Sequence, residues 1–350
     1  MFIRPIRGCW VAARRRHAGD GRWLVAGRAS TSQLPVGTGG GAVAAAWWRI
    51  VRFLELIKFS HSVFALPFAL IATFLAAHRI GLIWPGWLRL GLILLCMVFA
   101  RTFAMTFNRL ADRQLDQRNP RTQRRPSVTG EISVAFMAGA LLLSGGLFIL
   151  STWWFDRLFA NPYPVLLSLP ALGWIALYSF TKRFTWLCHF ILGASLGLAP
   201  ISAWIAIAPP RGPMLTAQVL CLAAAVLFWT AGFDILYALQ DWQVDRREKL
   251  YSIPAAVGVS GSLWVSRVCH VLAVLGLLAF GLGLGGGAAL GPWYWAGWVI
   301  VMGLLGIEQS LVTPRDISRV NLAFMTINGV VGVVFGILSI AAIVVVRIRG

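Results

Sequence analysis

Apolar residues in this chain run in blocks rather than in stripes. From residue 50 onward, nine segments carry few charges on any face: about 58–78, 87–107, 133–153, 162–179, 186–207, 215–238, 263–285, 292–312 and 321–346. A helix that is apolar all round lies either deep in a large core or in lipid, and runs of about twenty residues match the hydrocarbon thickness of a bilayer. Open sheets are excluded in lipid because their edge backbone groups stay unpaired. The pattern predicts an all-α, polytopic membrane protein with nine transmembrane helices in residues 50–350.

Composition points the same way. Of 350 residues, 58% are hydrophobic and 12% charged, with a mean hydropathy of +0.76; a soluble domain carries about a quarter charged residues, so a soluble enzyme is excluded. Residues 1–49 differ in kind. They hold Arg4, Arg7, Arg14, Arg15, Arg16, Arg22 and Arg28 against the single acid Asp20, then a glycine-rich stretch, Gly37 to Gly41. This reads as a basic, disordered extension. No apolar stretch of the signal-peptide kind follows the arginines, although an organelle transit peptide shares their composition. Four of the five cysteines, Cys96, Cys188, Cys221 and Cys269, lie in or beside apolar segments without metal-site spacing, as small hydrophobes do.

The net charge of +19 changes the picture only through its placement. Basic residues sit between the apolar runs and at the amino end, which is a topology and lipid-contact pattern and not that of a nucleic-acid binder. Links after the second, fourth, sixth and eighth segments hold Arg109 to Arg125, then Lys182 and Arg183, then Arg246, Arg247 and Lys249, then Arg315 and Arg319. The other links hold only Arg79, Arg89, Arg157 and Arg211. The positive-inside rule therefore makes the even-numbered links cytoplasmic.

Acids are rare, twelve in all, and five fall into two short stretches at cytoplasmic helix ends. One is Asn108, Asp112 and Asp116; the other is Asp234, Asp241 and Asp245. Steps of four or seven residues return to nearly the same face of a helix, so each stretch predicts a carboxylate stripe. Like charges so close repel, and more so where the dielectric is low. Either basic neighbours such as Lys249 form ordinary ion pairs, or the stripes face each other and hold divalent cations shared with phosphate oxygens. Magnesium suits the second case, since it keeps few protein carboxylates and shares its shell with phosphate and water.

Further candidates lie on the same side of the membrane. Tyr178 and Lys182, four apart, offer a hydroxyl and a cation to a phosphate, or else serve as interface anchors. Lys58 either contacts phosphate or an acidic substrate, or snorkels. Arg101 lies inside the second segment, seven residues before Asn108; there it anchors an anionic group or pairs with a lone acid, Glu308 or Glu55.

At these residues the chain resembles the UbiA superfamily of intramembrane prenyltransferases over about residues 50–346. Asn108/Asp112/Asp116 is similar to that family's first aspartate motif, Asp234/Tyr237/Ala238/Asp241/Asp245 to its second, and Tyr178/Lys182 to its YxxxK motif. Phe59–Phe68, Gly232–Asp241 and Tyr251–Pro254 resemble the 4-hydroxybenzoate polyprenyltransferases and the dihydroxynaphthoate enzymes of menaquinone synthesis. The resemblance implies a UbiA-like bundle that transfers a polyprenyl group from a polyprenyl diphosphate to an aromatic carboxylate acceptor. It implies Mg2+ held by Asp112, Asp116, Asp241 and Asp245, with Asn108, Tyr178, Lys182, Asp234, Tyr237, Arg101 and Lys58 binding substrates. The expected location is a bacterial inner membrane with the site on its cytoplasmic face. An ion-coupled transporter is the alternative of another class, though its ionisable groups belong near the bilayer midplane.

Overall fold

A computed structural model describes residues 41–57, 64–208, 216–284, 287 and 289–349. The chain divides into a unit of residues 1–46 and a unit of residues 47–350. Residues 41–46 of the first are helical, and the account below concerns the second.

The elements are α1 (Gly41–Leu56), α2 (Leu66–Arg79), α3 (Trp87–Ala111), α4 (Arg113–Arg118), α5 (Pro126–Thr129), α6 (Val134–Phe159), α7 (Tyr163–Leu166), α8 (Ser168–Thr181), α9 (Cys188–Ile207), α10 (Ala217–Ala238), α11 (Trp242–Arg247), α12 (Ile253–Gly281), α13 (Pro292–Leu311), α14 (Val320–Leu322) and α15 (Asn328–Arg349). A 3-10 turn, Leu239–Asp241, joins α10 to α11, and a π turn, Ala323–Ile327, joins α14 to α15. No strand occurs among the described residues.

Side-chain caps start three of the membrane helices. Ser133, Thr216 and Ser252 accept the backbone N–H of Phe136, Val219 and Ala255 at 3.2, 3.4 and 3.3 Å, satisfying donors that the first helical turn leaves unpaired.

The all-α membrane architecture is as the pattern predicts, and the described residues account for seven of the nine expected spans. Among the described residues, seven helices are long and apolar enough to cross a membrane: 87–111, 134–159, 163–181, 188–207, 217–247, 253–281 and 320–345. The helix Leu66–Arg79 has 14 residues, and the described part of the expected 58–78 segment begins at residue 64. Helix α13 has 20 residues but carries three tryptophans and Glu308. The segment expected at 263–285 begins instead at Ile253 and breaks its helical geometry at Gly258, where φ is 70°. A positive φ costs glycine little, so the chain changes direction there between two helical stretches.

Helix α10 is the centre of the packing, flanked by α9 and α12, with α3 on α6, α2 on α9, and α15 on both α13 and α2. Lipid tails are as apolar as leucine, so close backbone approach and polar contacts hold such helices together. Gly193 and Gly197, one turn apart on α9, lie against α10: a Cβ on Gly197 would stand 2.9 Å from the Ala223 carbonyl oxygen. A polar chain also crosses the core. Trp229 Nε1 donates to Asn328 Oδ1 at 2.7 Å, and Asn328 Nδ2 donates to Glu308 Oε1 at 2.8 Å and to the Ala323 carbonyl at 3.2 Å. Asn328 thereby ties α10 and α13 to the π turn. Asn328→Ala is expected to destabilise the protein by about 1–3 kcal/mol, the cost of leaving buried polar groups unpaired, read as a lower thermal unfolding midpoint in detergent.

Candidate functional site

Both acidic stretches lie where membrane helices end, and neither is one continuous helical stripe. Helix α3 stops at Ala111, Asp112 occupies the junction with φ −94° and ψ 5°, and Asp116 belongs to α4. Asp234 and Tyr237 sit on α10, Asp241 closes the 3-10 turn, and Asp245 lies on α11.

Basic side chains from the links answer four of these acids. Arg125 Nη1 reaches both oxygens of Asp116 at 2.7 Å. Arg121 forks onto Asp241, with Nε to Oδ1 at 2.8 Å and Nη2 to Oδ2, and its Nη1 donates to the Tyr237 hydroxyl at 3.1 Å. Asn119 Nδ2 donates to the same Asp241 Oδ1 at 2.8 Å. Lys182 Nζ lies 2.7 Å from Asp245 Oδ1, and Arg183 Nη2 lies 3.3 Å from Asp112 Oδ1. Consecutive residues after α8 therefore bridge the two acidic stretches. These contacts gather the links after α3, α8 and α10 at one end of the helices.

The remaining candidates are distributed around this centre. Asn108 Nδ2 donates to Asp112 Oδ2 at 2.8 Å, while its Oδ1 accepts from Arg109 at 3.1 Å. Tyr178 is half-buried on α8, one turn before Lys182. Asp234 pairs with His189 of α9 at 2.7 Å. Arg101 is half-buried within α3; of its two suggested acid partners, Glu308 accepts from Asn328 and Glu55 accepts from Arg52 at 3.0 Å. Lys58 lies outside the described residues. Lys249, offered by spacing as the compensator of Asp245, sits instead in a turn with φ 53°, and Lys182 takes that place.

Arg121, Arg125, Arg183, Asn119 and His189 are site neighbours that spacing does not single out. The signal that was available is charge density in the links; which arginine meets which aspartate depends on chain reversals across more than a hundred residues, as in Arg121 with Asp241.

Charge balance across the site is uneven. Burial raises the Asp112 carboxyl above its ordinary range, against the pull of the Arg183 hydrogen bond, and the neighbouring Asp116 charge raises it further. Burial opposes the charge of Lys182, but Asp245 more than offsets it and carries the ammonium upward. Burial likewise opposes the Arg121 charge, and the Asp241 bond and charge raise it. An added cation beside Asp112 would lower its pKa again.

Every side-chain donor in the two stretches is a hard oxygen. No group of three or more His, Cys, Asp or Glu among the described residues stands ready to hold a metal unaided. Hard oxygen donors suit magnesium, which takes one or two protein carboxylates and completes its shell with phosphate and water. Beneath Tyr237 runs an aromatic column: Tyr237 to Phe324 at 4.3 Å between ring centres, Phe324 to Phe233 at 5.4 Å, and Phe233 to Trp229 at 5.0 Å.

Comparison with known proteins adds independent weight. The pattern that defines the UbiA prenyltransferase family matches residues 65–330. The chain is 32% identical over 241 residues to a 4-hydroxybenzoate octaprenyltransferase of Aromatoleum aromaticum, covering 68% of this chain and 76% of that one. It is 29% identical over 287 residues to the 4-hydroxybenzoate octaprenyltransferase of Vibrio cholerae, covering 81% and 93%. Among solved structures, a UbiA homolog from Aeropyrum pernix K1 superposes with a TM-score of 0.66 at 27% identity, over 82% of this chain and 98% of that one. A UbiA homolog from Archaeoglobus fulgidus bound to GPP and Mg2+ shares the fold, with a TM-score of 0.61 at 21% identity over 83% and 99%.

Lys182→Met strands the Asp245 carboxylate, which is 2% exposed. The expected cost is about 2–3 kcal/mol, below the usual range for a broken buried pair because the lysine is 35% exposed; thermal unfolding of the purified protein measures it.

Proposed function

Because the chain belongs to the UbiA prenyltransferase family, we propose that it transfers a polyprenyl group from a polyprenyl diphosphate to 4-hydroxybenzoate in quinone synthesis. The observation that carries this reading is the bridge in which Lys182 and Arg183 join Asp245 to Asp112. It draws two acidic helix ends to within reach of one bridging dipeptide, as a site for a compact anion with its counter-cations requires. The relatives named above act on 4-hydroxybenzoate, which favours that acceptor over dihydroxynaphthoate. The structure of a relative with GPP and Mg2+ bound supports the diphosphate and the metal. Acids gathered at one end of the helices, where a water-soluble headgroup meets the membrane, argue against an ion-coupled transporter.

Asp112, Asp116, Asp241 and Asp245 would hold magnesium, with Asn108 and Asp234 completing or orienting the shell. Bound magnesium supplies the positive charge that makes diphosphate a competent leaving group. Lys182 and Tyr178 offer an ammonium and a hydroxyl to phosphate oxygens. Once the allylic carbon–oxygen bond breaks, the cation must be kept from water; Tyr237 and the aromatic column below it provide apolar, π-rich walls. The acceptor ring attacks, and an aspartate of the second stretch takes the proton released. Arg101 and Lys58 anchor the acceptor's carboxylate or a phosphate oxygen. Residues 50–350 would form the catalytic membrane domain and residues 1–49 a basic extension; the lysine and arginine bias favours the cytoplasmic face for the site, and the bacterial relatives support an inner-membrane location.

The direct test incubates the membrane-embedded protein with labelled polyprenyl diphosphate, magnesium, and either 4-hydroxybenzoate or dihydroxynaphthoate. Prenylated 4-hydroxybenzoate that disappears on chelation is expected; no consumption of diphosphate with either acceptor overturns the reading. Asp112→Ala and Asp241→Ala are each expected to lower turnover by about a hundredfold or more while the protein stays folded in the membrane. Arg101→Ala is expected chiefly to raise the acceptor KM, and an effect confined to diphosphate binding would reassign that arginine.

A further inference from the structure

Four of the five acids in the two stretches are answered by arginine or lysine. Asp234 is answered by a histidine. His189 lies in the first turn of α9, 3% exposed, with Nδ1 at 2.7 Å from Asp234 Oδ2 on α10. Its Nε2 accepts the backbone N–H of Ile253, the first residue of α12, at 3.3 Å. With Nε2 turned to the backbone N–H of Ile253, Nδ1 is the ring nitrogen that faces Asp234 and donates its proton there.

The segment on the far side of the ring is itself held to the site. The Tyr251 N–H donates to the Lys182 carbonyl at 2.8 Å, Cys188 Sγ donates to the Tyr251 carbonyl at 3.4 Å, and Ser252 Oγ donates to Asp245 Oδ2 at 2.8 Å. The strap of residues 251–253 thus touches Lys182 and Asp245 at one end and His189 at the other. Holding Oδ2 of Asp234 from this strap fixes the direction in which Oδ1 is presented.

We infer that His189 is a positioning residue for Asp234, an Nδ1–H donor that sets the carboxylate's orientation from the strap that opens α12. Only the kinetic part of its test rests on the prenyl-transfer reading above. Positioning groups of this kind, once removed, cost about ten- to a hundredfold in activity.

The test uses the full chain in lipid nanodiscs, with geranyl diphosphate, magnesium and 4-hydroxybenzoate. His189→Leu, which removes the donor, is expected to lower kcat by about tenfold or more with the KM for geranyl diphosphate changed less than about twofold. His189→Asn, which keeps an N–H near the Nδ1 position, should recover most of that loss. Adding His189→Leu to Asp234→Asn should cost nothing further. Independently of turnover, 15N spectra of histidine-labelled protein, assigned by the signal that His189→Asn removes, should show a protonated Nδ1, with Asp234→Asn shifting that signal. An unprotonated Nδ1 overturns the inference, as does unchanged kcat in His189→Leu or equal losses in the leucine and asparagine variants. If the unmodified protein prenylates neither acceptor, the prenyl-transfer reading fails, and the spectrum alone still decides the role of His189.

Discussion

A carboxylate at the edge of a bilayer core has to be met by a positive charge or a hydrogen-bond donor, because the cost of leaving it bare in low dielectric exceeds what neighbouring apolar contacts return. Asp116, Asp241 and Asp245 are all buried, and each lies in the short segment that follows an apolar membrane helix. Their presence therefore dictates where the connecting links must go. Arg121 and Arg125 in the link after α3, and Lys182 after α8, are drawn inward onto those acids, and Arg183 onto Asp112. Loops that could otherwise lie anywhere along the membrane surface are gathered over one end of the helices.

The compensation is sufficient to fold the site and incomplete at one place. Arg121 grips Asp241 with two nitrogens and also reaches Tyr237, and Arg125 spans both oxygens of Asp116. Asp112 has a single, longer contact to Arg183 and shares its second oxygen with Asn108. Burial and the neighbouring Asp116 charge hold its carboxyl above the ordinary range, against the pull of Arg183.

Below the charged layer the physics changes from ion pairing to shape. Tyr237, Phe324, Phe233 and Trp229 contact one another in sequence, and Phe324 belongs to the π turn that Asn328 steadies through the Ala323 carbonyl. π turns recur where a helix must present a side chain out of its regular register. Here that side chain is the ring that stacks on Tyr237. A polar chain running from Glu308 through Asn328 to Trp229 thus supports the aromatic surface from within the membrane.

Amino-acid order alone determined the membrane class, the all-α architecture and the two acidic stretches, because each rests on properties local to one segment: the length of an apolar run, or a carboxylate repeat over one or two helical turns. It also predicted, through the basic bias of alternate links, that those stretches share one end. Three-dimensional packing decided the rest. The Gly258 break, the early start of α12 and the broken acidic stripes arise where backbone geometry departs from a uniform helix, which periodicity assumes. The partnerships of Arg121 with Asp241, Lys182 with Asp245 and His189 with Asp234 join residues between 45 and 120 positions apart, and no local pattern encodes them. They follow from which helix ends are brought side by side once the apolar surfaces have packed.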